Sequence, residues 1–152
     1  MRPTCNICAF ISSAENLIFL TNHWRVSLAD DQAYLGRSYI TLRKHKASLS
    51  ELSSEEWQDF EALVKRLEAG YVNAFGSGTP FNWACMMNNA FQLPDPTPHV
   101  HWHVRPRHNQ TITINGEAFT DPDYAHHYSR SRQQLPSADT LAAIISQIKA
   151  NI

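Results

Sequence analysis

Residues 99–107 read His-Val-His-Trp-His-Val-Arg-Pro-Arg. Successive side chains of an extended strand point to opposite faces, so His99, His101, His103, Arg105 and Arg107 fall on one side. Val100, Trp102, Val104 and Pro106 fall on the other. One face packs and the other is available for chemistry. Alternate residues of a strand lie roughly 6.6 Å apart, a spacing that suits neighbouring atoms of one phosphate group or a shared metal. An imidazole, with an unperturbed pKa of about 6.5, is a competent nucleophile or a metal ligand near neutral pH. The isolated histidines His23, His108, His126 and His127 lack such company and read as structural or solvated.

Two chemistries compete for this face. Either the three imidazoles hold a catalytic metal together, as in a metallohydrolase, or one attacks while its neighbours bind and position phosphate. Cys5-x-x-Cys8 bears on the choice, because two thiolates need two further ligands to complete a tetrahedral zinc site. His45 and His99 are the natural candidates. Two thiolates and two neutral imidazoles neutralise Zn²⁺ and leave no open position, so such a site is structural and frees His101 and His103. The third cysteine, Cys85, reads as a buried, inert thiol.

Composition narrows the class of partner. The chain has 152 residues, 43% of them hydrophobic, and a formal net charge of −1, which fits one globular domain with a real core. The balance of charge gives no global pull toward nucleic acid or a membrane surface, so an anionic ligand has to be small and held locally. No apolar run approaches the roughly 20 residues a bilayer span needs. With few cysteines and no disulfide pattern, the cytoplasm is the expected location. No organic cofactor is expected.

The elements that must position the histidine face are legible from period and punctuation. Residues 17–21 and 24–29 read as a hairpin, and 38–42 as a third strand. Ser53 and Glu56 form a capping box ahead of Trp57, Phe60, Leu63, Val64, Leu67 and Tyr71 at helical spacing, which predicts a helix over 54–75 with a core-facing aromatic stripe. Gly76-Ser77-Gly78 supplies its stop, and 81–87 reads as a fourth strand. The Pro94-Asp95-Pro96-Thr97-Pro98 connection excludes helix before the histidine strand. Residues 111–114 end at an Asn115-Gly116 turn, 121–136 read as extended loop, and 137–150 form a last helix with Leu141, Ile144, Ile145 and Ile148 on one face. Strands, then a helix, then strands predict an α+β fold: an antiparallel sheet of about five strands, one long helix and a C-terminal helix.

The run His99-Val-His101-Trp-His103-Val-Arg105-Pro resembles the signature of the histidine triad (HIT) superfamily of nucleotide hydrolases and transferases, His-φ-His-φ-His-φ-φ with φ hydrophobic. Arg105 departs at the last φ. Residues 36–45 are similar to the family's Gly-His-x-φ-φ-x-x-x-x-His strand, with Arg37 in place of the first histidine, and Asn88 falls where the family carries an asparagine. Asp95-Pro96-Thr97-Pro98 stands where the family has Gly-Gln-Ser/Thr. The likeness covers residues 5 to about 107, leaving 108–152 as a C-terminal extension of a single domain over 1–152.

The resemblance implies that His101 attacks the α-phosphorus of a dinucleoside polyphosphate or nucleoside phosphoramidate and forms a nucleotidyl-histidine intermediate. It implies that His103 and Asn88 bind phosphate and leaving group, with Thr97, Arg105 and Arg107 as further phosphate contacts. Asp30 is then the candidate ribose contact and Ile40 a candidate lining of the base pocket. Zinc-bearing branches of the superfamily use residues that match Cys5, Cys8, His45 and His99, and the resemblance also implies a homodimer. A non-catalytic nucleotide-binding or scaffolding protein is the alternative, because Asp95-Pro96-Thr97-Pro98 removes a flexible glycine and shifts a hydroxyl.

Overall fold

The computed structural model describes residues 5–76 and 80–152. The helical period of the capping-box segment is realised as α2 (Ser54–Phe75), with both halves of the Ser53/Glu56 box formed. Before it come a short helix α1 (Asn6–Ile11) and the strands β1 (Leu17–Leu20), β2 (Trp24–Leu28) and β3 (Ser38–Leu42). After it come β4 (Phe81–Ala84), β5 (His101–Pro106), a small hairpin β6 (Ile112–Ile114) and β7 (Glu117–Phe119), and α3 (Ala138–Lys149). The five longer strands form one antiparallel sheet in the order β1-β2-β3-β5-β4. The α+β architecture is therefore as the sequence predicts, with the histidine strand β5 paired on both sides.

One face of the sheet is covered by α2. Leu63, Leu67 and Tyr71 are buried there with Val26, Ile40, Val100 and Val104. Phe60 stacks on Trp102, ring centroids 5.1 Å apart, and touches Trp24 and Trp83. Burial of such large apolar surfaces is the main force holding strand and helix together. Trp57, expected in the core stripe, is 39% exposed because it lies at the rim of this aromatic group. With Trp102 and Val104 committed to α2, the imidazoles of His101 and His103 are turned to the opposite face.

Several boundaries differ from those expected, for local reasons. The chain leaves β4 at Ala84 rather than 87, because Met87 takes a left-handed conformation (φ 52°) into a 3-10 turn, Asn88–Gln92. His99 precedes β5 rather than lying within it, though Val100 still bonds Lys46 and Leu42 through its backbone. Helix α1 was not expected: its six residues have no side-chain cap. The buried Arg25 of β2 holds its far end instead, donating to the carbonyls of Ile11, Ser13 and Glu15 and lying over the Phe10 ring. A cation at the free carbonyls of a helix C-terminus is favourable.

The C-terminal extension packs onto the same core. The Asn115-Gly116 turn has both residues at positive φ, 51° and 78°, as a two-residue hairpin requires, and it joins β6 to the unforeseen β7. Ile144 and Ile148 of α3 are fully buried. A Cβ on Gly70 would sit 2.0 Å from Ile152 Cγ2, so this glycine permits α2 and the chain's end to meet. Gly76 caps α2 with φ 113°; Ser77 and Gly78 of the predicted stop lie outside the described residues. Residues 121–136 carry no helix or strand. Among the described residues no helix is long and apolar enough to cross a membrane.

Candidate active site and metal centre

Cys5, at the N-terminal boundary of α1, and Cys8, one turn later, project from the same side of the helix. They meet His45, just beyond β3, and His99, just before β5, with the four ligand atoms all within 4.8 Å of one another. His99 Nδ1 lies 3.5 Å from each thiol sulfur, and His45 Nδ1 lies 3.4 Å from Cys8 Sγ. Tetrahedral zinc with Zn–S of 2.3 Å and Zn–N of 2.0–2.1 Å puts sulfur and nitrogen about 3.5 Å apart, so the donor set fits that ion. His99 Nε2–H donates to the Leu42 carbonyl at 2.7 Å, which leaves the Nδ1 lone pair aimed at the thiols and fixes the ring as a metal ligand needs.

The next histidine faces elsewhere. His101 Nδ1 is 2.8 Å from the His99 carbonyl oxygen; since a carbonyl only accepts, Nδ1 carries a proton, and in the neutral ring the lone pair is then on Nε2. His101 and His103 lie 5.0 Å apart between ring centroids, and Tyr39 stands edge-on to His103 at 5.1 Å. Both imidazoles line a cleft of about 520 Å³. Burial, then His101, Arg105 and Arg37, push the His103 pKa down to about 3, so this ring is neutral at physiological pH. Its Nδ1 is buried with no hydrogen-bond partner among the described residues.

Other expected residues divide cleanly. Asn88, Thr97 and Arg105 line the cleft. Arg107 does not: it is 2% exposed and locked to Asp121, so the expected phosphate contact is corrected to a structural one. Chain parity puts Arg107 on the histidine side, but β5 ends at Pro106. Asp30 is also outside the cleft, accepting from Asn16 Nδ2 at 2.6 Å, and Asp31 takes the place at the wall. Ile40 is a core residue, 0% exposed and paired with Trp102, hence on the α2 side of the sheet. A metal shared by all three triad histidines is likewise corrected, because His99 is turned to Cys5 and Cys8.

The structure adds residues that sequence reasoning did not place at the site. Arg37 and Tyr39 enter from β3 and its approach, and Arg130 and Arg132 from the extension that lay beyond the family likeness. Tyr39 was recoverable from alternation once its register opposite His103 is known. The extension's arginines carry no local signal, since no periodic element holds them.

The sequence matches no protein-family model and no curated protein. Solved structures do match in fold. A uridylyltransferase superposes with a TM-score of 0.71 at 16% identity, over 97% of this chain and 45% of that one; the chain thus spans less than half that enzyme's length. A histidine triad nucleotide-binding protein from Sulfolobus tokodaii gives 0.64 at 17% identity, over 97% of this chain and 91% of its own. A zinc-bound histidine triad family protein from Mycobacterium smegmatis gives 0.59 at 17% identity, over 97% and 94%. The chain therefore has the histidine triad fold, and its structural neighbours include an enzyme, a nucleotide-binding protein and a zinc-bound protein.

Proposed function

We propose that the protein is a nucleotide hydrolase or nucleotidyl transferase that cleaves at the α-phosphate of a dinucleoside polyphosphate or nucleoside phosphoramidate, through a covalent intermediate on His101. The observation that carries this reading is the His101 tautomer, fixed by the 2.8 Å bond from Nδ1–H to the His99 carbonyl, which leaves Nε2 as the nucleophilic nitrogen of the neutral ring beside the cleft. Nε2 attacks phosphorus and a P–N bond forms. The bond from phosphorus to the leaving oxygen or nitrogen breaks, and the leaving group departs with its electron pair and takes up a proton as its basicity requires. Water then attacks phosphorus, the P–N bond returns its pair to Nε2, and nucleoside monophosphate leaves with release of the water's proton.

His103, neutral because it is buried among positive neighbours, offers a ring N–H to a non-bridging oxygen without competing as a charged acid. The Asn88 amide and Thr97 hydroxyl, both on the cleft wall, orient phosphate and leaving group. Arg105 supplies positive charge to the same end. Cys5, Cys8, His45 and His99 are the proposed zinc ligands, and zinc supplies there a cross-link between the N-terminal helix and the start of the histidine strand. No step of the reaction passes through it.

Intact-mass analysis after brief mixing with adenosine 5′-phosphoramidate or a dinucleoside polyphosphate tests the reading. An adenylyl adduct or nucleotide release in the wild type that vanishes in His101→Ala supports it. Nucleotide binding with neither adduct nor turnover would replace it with the non-catalytic reading, to which the Asp95-Pro96-Thr97-Pro98 segment lends its one argument.

A further inference from the structure

We propose that Arg105 and Arg37 form a seat for a second anionic group of the phosphate class, one step past His103 along the sheet. Only the identity of the molecule that carries this group rests on the nucleotide reading above; the seat itself follows from the arginines.

The other buried arginines among the described residues are satisfied. Arg25 donates to the Ser27 hydroxyl and three carbonyls, and Arg107 to two side-chain acceptors and two carbonyls. Arg105 is the exception. It is 8% exposed, its guanidinium lies over the Tyr128 ring at 4.1 Å, and its nitrogens, with no hydrogen bond to a described residue, stay open to the cleft that Arg105 lines. A buried cation without a partner is destabilising unless an anion joins it.

Its neighbour does not supply that anion. Positions 37 and 105 continue the antiparallel register in which Ser38 faces Val104, and the two guanidinium charges repel one another. Arg37 uses one amino group on Asp31 and the other on the Tyr39 hydroxyl, while its Nε is buried without an acceptor. Asp31 is already engaged, receiving the backbone N–H groups of Ala33 and Gln134 besides Arg37. It is also the one carboxylate on the cleft wall among the described residues, against Arg37, Arg105, Arg130 and Arg132.

The shape of the deficit selects the ligand. A carboxylate is planar and is matched by a single guanidinium fork, whereas the Arg105 fork together with the one unmatched N–H of Arg37 suits a tetrahedral oxyanion with three free oxygens. Alternate residues on a strand are roughly 6.6 Å apart, so an anion here lies a similar distance beyond the pair His101 and His103. It is thus a group distinct from the phosphate under attack. It belongs either to a second phosphoryl group of the same ligand or to a separate oxyanion that serves as acceptor.

Calorimetric titration of the purified protein with inorganic pyrophosphate tests the seat, with AMP and ADP as competitors. Arg105→Met keeps the packing on Tyr128 and removes the charge; Arg105→Lys keeps the charge and removes the fork. Pyrophosphate binding should fall about tenfold or more in Arg105→Met, with Arg105→Lys between it and the wild type. The melting temperature of Arg105→Met without anion should stay near that of the wild type, because no hydrogen bond to the protein is lost with the charge. Should that variant fail to fold, Arg105→Lys carries the test, with an expected loss of about threefold.

Displacement of pyrophosphate by ADP and not by AMP assigns the group to the nucleotide. Displacement by neither assigns a separate oxyanion. The proposal is overturned if the wild type does not bind pyrophosphate, if both variants bind it within about twofold of wild type, or if AMP displaces it as strongly as ADP. Failure of both nucleotides to bind removes the nucleotide reading, while the pyrophosphate titrations still decide the seat.

Discussion

Replacing Arg107 by methionine should destabilise the fold severely, although this residue has the same strand parity as His101 and His103. All five of its N–H groups are used: Nε and Nη2 grip the two oxygens of Asp121 at 2.6 and 3.2 Å, Nη1 reaches Asn82 Oδ1 and the His126 carbonyl, and Nη2 reaches the Asp123 carbonyl. The side chains of the pair are 2% and 3% exposed. Removing one partner of a buried, hydrogen-bonded pair leaves the other charge stranded, a loss of about 3–5 kcal/mol. At about 2–4 °C per kcal/mol for a chain of this size, the melting temperature should fall by about 6–20 °C. Urea unfolding followed by tryptophan fluorescence measures the loss. Arg107→Met/Asp121→Leu should recover a substantial part of it, since no charge is then left buried. The reasoning is refuted if Arg107→Met stays within about 1 kcal/mol of wild type, or if the double variant is no more stable than the single one. Because Arg107 also ties 121–126 to β4, limited proteolysis of Arg107→Met should cut first in the extension.

Two further outcomes follow from the site. Native mass spectrometry should find one zinc per chain in the wild type and none in Cys8→Ser, and chelation should open residues 5–13 to protease, since a six-residue helix does not stand alone. A wild type that binds no zinc would remove the metal assignment. Stability should also fall as pH drops below about 6.5, because burial holds His103 down to about 3 and lowers the His108 pKa as well. The folded protein keeps these rings neutral while the unfolded chain takes up protons near its ordinary value, so their contribution is complete above about 6.5 and is lost as pH falls toward the folded values. Each histidine adds up to about 1.4 kcal/mol per pH unit to that slope. Urea unfolding at pH 7, 6 and 5 measures it, and a His103→Asn variant with the wild-type slope would sink the argument.

Elements with a period of their own were legible in the sequence. Helix α2 is bounded as its capping box and apolar spacing require, and β3 falls on the predicted residues. The gathering of Cys5, Cys8, His45 and His99 was legible too, since their type and spacing limit what they can do. Helix α1 was not, because what holds it is Arg25 from β2, a tertiary contact rather than a local preference. Ile40 was misplaced because the face of a strand residue depends on register, and β3 and β5 are distant in sequence. Once Tyr39 is known to face His103, Ile40 must face Trp102 and the core.

Register also explains what neither departure from the family pattern could show alone. Arg37 precedes Tyr39 by two residues and Arg105 follows His103 by two, so an antiparallel pairing of Tyr39 with His103 brings both arginines to the same end of the cleft. Taken singly, each is a charged residue where the family has something else, and a solvated surface position accounts for it. Taken as cross-strand neighbours they concentrate positive charge beside a neutral His103, and that charge needs an anion for balance. The extension then has a part in the site: the Tyr128 ring packs on the Arg105 guanidinium, while the Arg107 anchor holds 121–126 close to the sheet. Loss of the anchor and loss of the seat are therefore coupled in one direction. Arg107→Met loosens the segment that carries Tyr128 and weakens anion binding, whereas Arg105→Met leaves every Arg107 bond in place.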